Sequence, residues 1–271
     1  MKDFLFKSPT KVKFGAGISF QLYEIFEEMG AKKPFFVTGK HVGKTDEFAK
    51  IIASLEEKGY SVQLFTDTQP DPPIDVCDAA AQVLKDSGCD VCVAVGGGSV
   101  IDTAKAMCML VTNEGSVKEY LFGGSKTVEN PSLPLIAVPT TAGSGSEVSA
   151  ASVITDEEND IKLSVSHEYL MPQFAIIDPL QQIHMPAFIT ATTGMDALTH
   201  AIESYVSLNA NPFSDAYGEM AIRLIGENIR AAVHDPLNLE AREKIAVAST
   251  LAGTAFVNGG LGAVHGISQA M

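Results

Sequence analysis

Asp196 and His200 stand four residues apart in the run Gly194-Met195-Asp196-Ala197-Leu198-Thr199-His200-Ala201-Ile202-Glu203. Ala197, Leu198, Ala201 and Ile202 recur at helical spacing, so the run reads as helix. Residues i and i+4 share a helix face, which points a carboxylate oxygen and an imidazole nitrogen into the same space. One divalent cation of hard or borderline character can take both. The same residues fit a second reading: Thr193 caps the helix, Asp196 completes a capping box and His200 is an ordinary helix histidine. Spacing alone leaves both open.

Two further stretches suit an anionic ligand. Gly96-Gly97-Gly98-Ser99-Val100-Ile101-Asp102 follows the apolar strand Val91–Val95 and leads into a helix through Ala104, Lys105 and Met107. Glycines without Cβ let backbone N–H groups approach a pyrophosphate, and the helix N-terminus adds partial positive charge. Ser99 and Asp102 also fit a capping box, and the third glycine of the dinucleotide fingerprint is missing. The second stretch, Pro139-Thr140-Thr141-Ala142-Gly143-Ser144-Gly145-Ser146-Glu147, follows the apolar strand Leu135–Val138. Every position from Thr140 to Ser146 except Ala142 is a hydroxyl residue or glycine, which suits an anion-facing turn better than a surface loop between apolar strands. Two such turns at strand ends in one sheet are better explained by a dinucleotide than by chance.

The elements that must position these residues alternate. A strand, a Phe14-Gly15-Ala16-Gly17 turn and an amphipathic helix fill Lys11 to Glu27. Pro34–Thr38 is a strand ended by Gly39, followed by a helix from Asp46 to Lys58 and a strand at Ser61–Phe65. Pro70, Pro72 and Pro73 mark a loop before the helix Ile74–Asp86. Short apolar strands alternating with helices predict a parallel sheet covered on both faces, with ligands outside the carboxyl ends of its strands. The stretches Ser214–Val233 and Glu240–Val257 carry apolar stripes at helical spacing and are read as core of a helical region.

Composition narrows the partners. The 271 residues are 46% hydrophobic and 19% charged, with a formal net charge of −14. That balance argues against nucleic acid or an anionic membrane surface. No apolar run is long enough for a membrane span, and the start of the chain lacks the pattern of a signal peptide. Four cysteines are too few for a disulfide framework. Cys89 and Cys92 form a C-x-x-C that runs into a strand, so they are read as reduced thiols, in keeping with a cytoplasmic setting.

Taken together, Gly96–Lys105, Pro139–Glu147 and Gly194–His200 resemble the iron-containing (group III) alcohol dehydrogenases. The likeness extends to Phe14-Gly15-Ala16-Gly17 and Gly262-Ala263-Val264-His265-Gly266. It implies an α/β dinucleotide-binding domain with a mostly parallel sheet over residues 1–180, followed by an all-α domain over 181–271. It also implies that the all-α domain is incomplete, because family members continue past the position of Met271 and hold a further histidine ligand there. By the resemblance the metal ligands are Asp196, His200 and His265. The metal is Fe²⁺ by preference, with Zn²⁺ admitted by a nitrogen and oxygen set without thiolate. Gly97, Gly98 and Ser99 match the pyrophosphate site and Asp102 lies near the nicotinamide end. Thr140, Thr141, Ser144 and Ser146 match the second loop, and Val153 and Lys162 match contacts on the nicotinamide ribose side.

The implied reaction is hydride transfer between a small alcohol or aldehyde and NAD(H) or NADP(H), with a metal polarising the substrate oxygen, in a homo-oligomer. Alternatives are a polyol oxidoreductase of the neighbouring glycerol dehydrogenase branch and a catalytically incomplete dinucleotide-binding fragment. Two positions depart from the family pattern. Thr38-Gly39-Lys40 stands where NAD-preferring members place an acidic residue, and a glycine beside a lysine leans toward NADP(H). Gln269 stands where several members have a histidine, so no proton relay is available through that side chain. His41, His167, His184 and His234 match no functional position.

Overall fold

The computed structural model describes residues 3–268. The chain alternates through β1 (Lys11–Phe14), α1 (Leu22–Met29), β2 (Pro34–Thr38), α2 (Asp46–Glu57), β3 (Gln63–Phe65) and α3 (Ile74–Ser87). It continues with β4 (Val91–Gly96), α4 (Gly98–Thr112), β5 (Leu135–Pro139), β6 (Ala151–Asp156), β7 (Ile161–Ser166) and β8 (Phe174–Ile177). From there it is helical: α5 (Ala187–Val206), α6 (Pro212–His234), α7 (Leu239–Gly259) and the short α8 (Ala263–Ser268). Six strands form a wholly parallel sheet in the order β1-β8-β5-β4-β2-β3. No helix among the described residues is long and apolar enough to cross a membrane.

The central strands read as continuous apolar runs because both faces are covered. Along β4, Val91, Val93 and Val95 pack with Phe26, Phe48, Ile51 and Leu55 of α1 and α2. The alternate residues Cys92 and Ala94 meet Ala80, Leu84, Ala104 and Met107 of α3 and α4. Strand side chains alternate faces, so a single run serves two cores. Small residues toward α4 let that helix sit close, and Val100 to Leu110 are buried without interruption. The four cysteines are free thiols. The neighbouring Cys108 thiol, together with burial, pushes the Cys92 thiol up.

Three sequence expectations change. Strand β3 is shorter than predicted, starting at Gln63. Strands β6 and β7 form a separate antiparallel hairpin, which the alternating pattern did not announce. Neither proposed capping box exists. Helix α5 starts at Ala187, so Thr193 lies well inside it and donates to the Ile189 carbonyl instead of capping. Its threonine-rich first turns read poorly as helix, and tertiary packing overrides that propensity. Helix α4 has Gly97 at its cap with no side-chain bond, while the Ser99 hydroxyl accepts from the Asp71 amide.

Helices α5, α6 and α7 pack through small residues, Ala197, Ala201, Ala221, Ala248 and Ala252, around Ile225 and Ile245. Arg242 is fully buried among them. It donates to the Pro236 and Met185 carbonyls at 3.0 and 3.1 Å and to Thr190 Oγ1 at 2.8 Å. This one side chain ties the start of α5 to the α6–α7 turn. Arg242→Met would strand those acceptors in a dry site, so we expect a loss of about 2–4 kcal/mol of unfolding free energy, read from urea denaturation.

Candidate active site

Asp196, His200 and Glu203 project from one face of α5, and α8 brings His265 to the same place. His265 Nε2 lies 3.4 Å and His200 Nε2 3.9 Å from a single oxygen, Asp196 Oδ1. One ligand atom from each residue falls within 4.8 Å of the others. The imidazoles of His200 and His265 stack at 4.2 Å between ring centroids, and Phe256 of α7 closes the other face of His200 at 4.7 Å. Both rings are therefore fixed, while Asp196 stays partly open to solvent.

Glu203 completes the arrangement. Its Oε2 sits 2.6 Å from His265 Nδ1, and its Oε1 accepts from the Val264 amide at 2.7 Å. Burial disfavours the carboxylate, but the bonds from His265 and the amides of Gly262 and Val264 win, holding it below the usual carboxylate range. With Nδ1 committed to Glu203, the Nε2 lone pair of His265 faces a carboxylate oxygen. Two acceptors so close require a proton or a cation between them. The donor set thus fits a divalent metal bound by two imidazoles and one carboxylate, with a carboxylate behind one imidazole. Burial lowers the His200 pKa, favouring the neutral form that ligates. The Asp196 carboxylate, aided by Glu203, raises that of His265, so a cation there must displace a proton.

The glycine turns adjoin one another at the carboxyl ends of β4 and β5. The Thr140 amide donates to the Gly96 carbonyl at 2.9 Å, and a Cβ on Gly98 would lie 2.8 Å from Ser144 Oγ. Gly97, Gly98 and Ser99 are half-buried at the N-terminus of the fifteen-residue α4, where backbone amides can receive a phosphate. Thr141 and Ser144 face them. The second loop also presses on the helices. A Cβ on Gly143 would strike Thr193 Cβ of α5 at 2.7 Å, and one on Gly145 would strike Gly253 Cα of α7 at 2.6 Å. Gly145 also has φ +62°, a conformation that disfavours side chains.

The other residues singled out from the sequence divide. Asp102 and Ser146 bond to each other inside the protein, and Asp102 also accepts from the Val153 amide at 3.1 Å. Val153 thus acts here through its backbone. Lys162 pairs with Asp71 at 2.7 Å; the latter has φ +48° and donates its amide to Ser99. Gly39 bridges to Asp67, and Lys40 Nζ lies 3.1 Å from the Asp67 carboxylate. His41 faces solvent, His167 caps a turn by accepting from the Tyr169 amide, and His234 closes α6. His184 bonds Glu47 at 2.7 Å beside a cavity of about 210 Å³ that Val42, Thr140, Thr141, Met185 and Ile189 also line. Gln269 lies outside the described residues. Sequence reasoning missed Glu203, although its spacing from Asp196 and His200 places it on their helix face, and it missed Asp67, which local spacing could not reveal.

Residues 9–179 match the family model of iron-containing alcohol dehydrogenases, and residues 190–271 match the model of that family's C-terminal region. This chain belongs to the iron-containing alcohol dehydrogenase family. It is 40% identical over 261 residues to the NAD-dependent methanol dehydrogenase of Bacillus methanolicus, covering 96% of this chain and 68% of that protein. It is 43% identical over 244 residues to the 1,3-propanediol dehydrogenase of Klebsiella pneumoniae, covering 89% of this chain and 62% of that one. The crystal structure of sulfoacetaldehyde reductase from Bifidobacterium kashiwanohense with NAD⁺ superposes with TM-score 0.93 at 34% identity, covering 99% of this chain and 70% of that one. The chain therefore spans about two thirds of the length of these relatives. Such relatives favour the alcohol dehydrogenase branch over the glycerol dehydrogenase alternative.

The Glu203 contact has a measurable consequence. Glu203→Ala should weaken divalent metal retention by about 10- to 100-fold, as removal of such supporting carboxylates does, measured by competition with a chromogenic chelator.

Proposed function

We propose that this chain is a metal-dependent, NAD(P)-linked alcohol dehydrogenase and aldehyde reductase acting on small alcohols or aldehydes. The observation that carries this reading is the meeting of the Asp196, His200 and His265 ligand atoms within 4.8 Å of one another. The match to a family described as iron-containing supports Fe²⁺ as the occupant, and the nitrogen and oxygen donors also accept Zn²⁺. When bound, the cation supplies positive charge at the substrate oxygen and the nicotinamide exchanges the hydride with the carbinol carbon.

The protein's own residues bind and orient. Asp196, partly exposed between two fixed imidazoles, leaves the substrate side open. Phe256 packs against the His200 ring, and Glu203 keeps the Nε2 edge of His265 turned to the common point. Amides at the start of α4 and the hydroxyls of Thr141 and Ser144 receive the phosphates. The cavity beside Thr140 suits the adenine, since apolar Val42, Met185 and Ile189 line it.

The choice between the two dinucleotides turns on Lys40. On its own, that lysine beside Gly39 favours NADP(H). Asp67 now stands against it, returning a carboxylate to the strand end from the neighbouring strand's edge. We assign the chain to NAD(H), in keeping with the relative named as an NAD-dependent methanol dehydrogenase. Asp67→Ala should then free Lys40 for a 2′-phosphate and shift the kcat/KM ratio toward NADP(H) by about two- to five-fold, an amount typical of one exposed charge contact. A native protein already preferring NADP(H) would overturn the assignment.

Metal analysis beside a panel of alcohols and aldehydes tests the main reading, with dinucleotide reduction followed by absorbance. Asp196→Ala should abolish metal-dependent turnover while dinucleotide affinity stays within about two-fold, because the residue touches neither glycine turn. Nucleotide binding without turnover or bound metal in the native protein would favour a catalytically incomplete dinucleotide-binding chain.

A further inference from the structure

Helix α8, which carries His265, has no buried residue among its six. A helix so short and exposed gains little from packing, so its place is set by what grips its start. On the cation side that grip is Glu203, through His265 Nδ1 and the Val264 amide. On the other side it is the turn Gly259–Gly262 that leaves α7. Gly259 is wedged there between α5 and α6: a Cβ on it would overlap Ser204 Oγ and lie 3.1 Å from Ser214 Cβ. Gly260 has φ +87°, so the chain enters α8 through a conformation that other residues rarely adopt.

Asn258 is the last side chain before this turn, and its hydrogen bonds reach beyond the helices. Its Oδ1 accepts from the Lys7 amide at 2.6 Å, and its Nδ2 donates to the Lys7 carbonyl at 3.0 Å. One carboxamide thus pairs both backbone groups of a residue 251 positions away, as a neighbouring strand would. Nδ2 also donates to the Thr254 carbonyl at 2.9 Å, and the Asn258 carbonyl accepts from Asn211 Nδ2, at the cap of α6, at 3.1 Å. The segment carrying Lys7 is fastened elsewhere too. Phe6 stacks on Phe213 and Tyr217 of α6 at 5.0 and 5.8 Å between centroids, and Phe4 tilts against Phe213 at 5.8 Å. Lys7 Nζ pairs with Glu168, ahead of β8, at 3.0 Å. Residues 4–7 therefore run as a strap from the sheet onto the helices, held at Asn258.

We propose that Asn258 is a positioning residue for the cation site: by fixing the end of α7 to the strap Phe4–Lys7 it sets the start of α8, and so the place of His265 Nε2. The inference rests on the reading of Asp196, His200 and His265 as cation ligands. In Asn258→Ala the strap loses both bonds and the Gly259–Gly262 turn gains freedom, while the three ligands and both glycine turns keep their residues. Affinity for Co²⁺, measured by competition with a chelator, should fall by about three- to ten-fold, the size of one lost hydrogen bond. The visible absorption of the Co²⁺ form should lose intensity as water replaces an imidazole nitrogen. The Kd for NADH, from fluorescence titration, should stay within about two-fold, because the turns that receive the phosphates are distant from the change. A residue that serves stability alone would lower the melting temperature and leave the Co²⁺ affinity and spectrum as they were, which would overturn the proposal.

Phe6→Ala loosens the strap from the surface of α6, so it covers the case in which Asn258→Ala does not fold. It should weaken Co²⁺ binding by about two- to three-fold, since part of the strap's hold remains. An unchanged Co²⁺ affinity in a folded Asn258→Ala protein, or in Phe6→Ala where the first variant fails, overturns the proposal. Failure of the native protein to bind Co²⁺ would instead overturn the cation reading itself.

Discussion

The site depends on how closely the loop between β5 and β6 can approach two helices. Gly143 lies against Thr193 of α5 and Gly145 against Gly253 of α7, at separations where a side chain would overlap its neighbour. Those contacts place a turn at the edge of a parallel sheet beside the helix that carries Asp196 and His200. Any larger residue would push the second glycine loop away from α5 and α7. A packed interface does not yield gradually, because interior packing is dense and has few voids.

Around that contact the chain buries several ionisable groups, each packed against others. His200 is flattened between Phe256 and His265, His265 is backed by Glu203, and Lys105 is enclosed by hydroxyls and a carbonyl. None of this is an efficient route to stability, since paired buried ions often gain little over apolar packing. Their value lies in orientation, and each group has little rotational freedom left. The open edge of Asp196 is where the enclosure stops.

Much of this was legible in the chain. The strands at Pro34, Val91 and Leu135 announced themselves because doubly covered strands are apolar throughout. Asp196 and His200 stood out by their spacing, and the structure brings both together with His265. What stayed hidden was mostly long-range. Asp67 meets Lys40 only because β3 pairs with β2, and Lys105 is indistinguishable in sequence from an exposed helix lysine. The capping patterns misled because Thr193 and Asp196 obey a local rule that the true start of α5, at Ala187, makes irrelevant. The hairpin of β6 and β7 escaped notice because its turn, Glu157 to Asp160, is simply acidic and polar.

Thr193 and Asp196 sit one turn apart on α5, the first in contact with Gly143 of the second glycine loop and the second beside His200 and His265. A twenty-residue helix is about 30 Å of stiff rod, so a shift at one of these residues is a shift at the other. The loop contact and the Asp196–His200 face therefore share one rigid support, which fixes the distance between them.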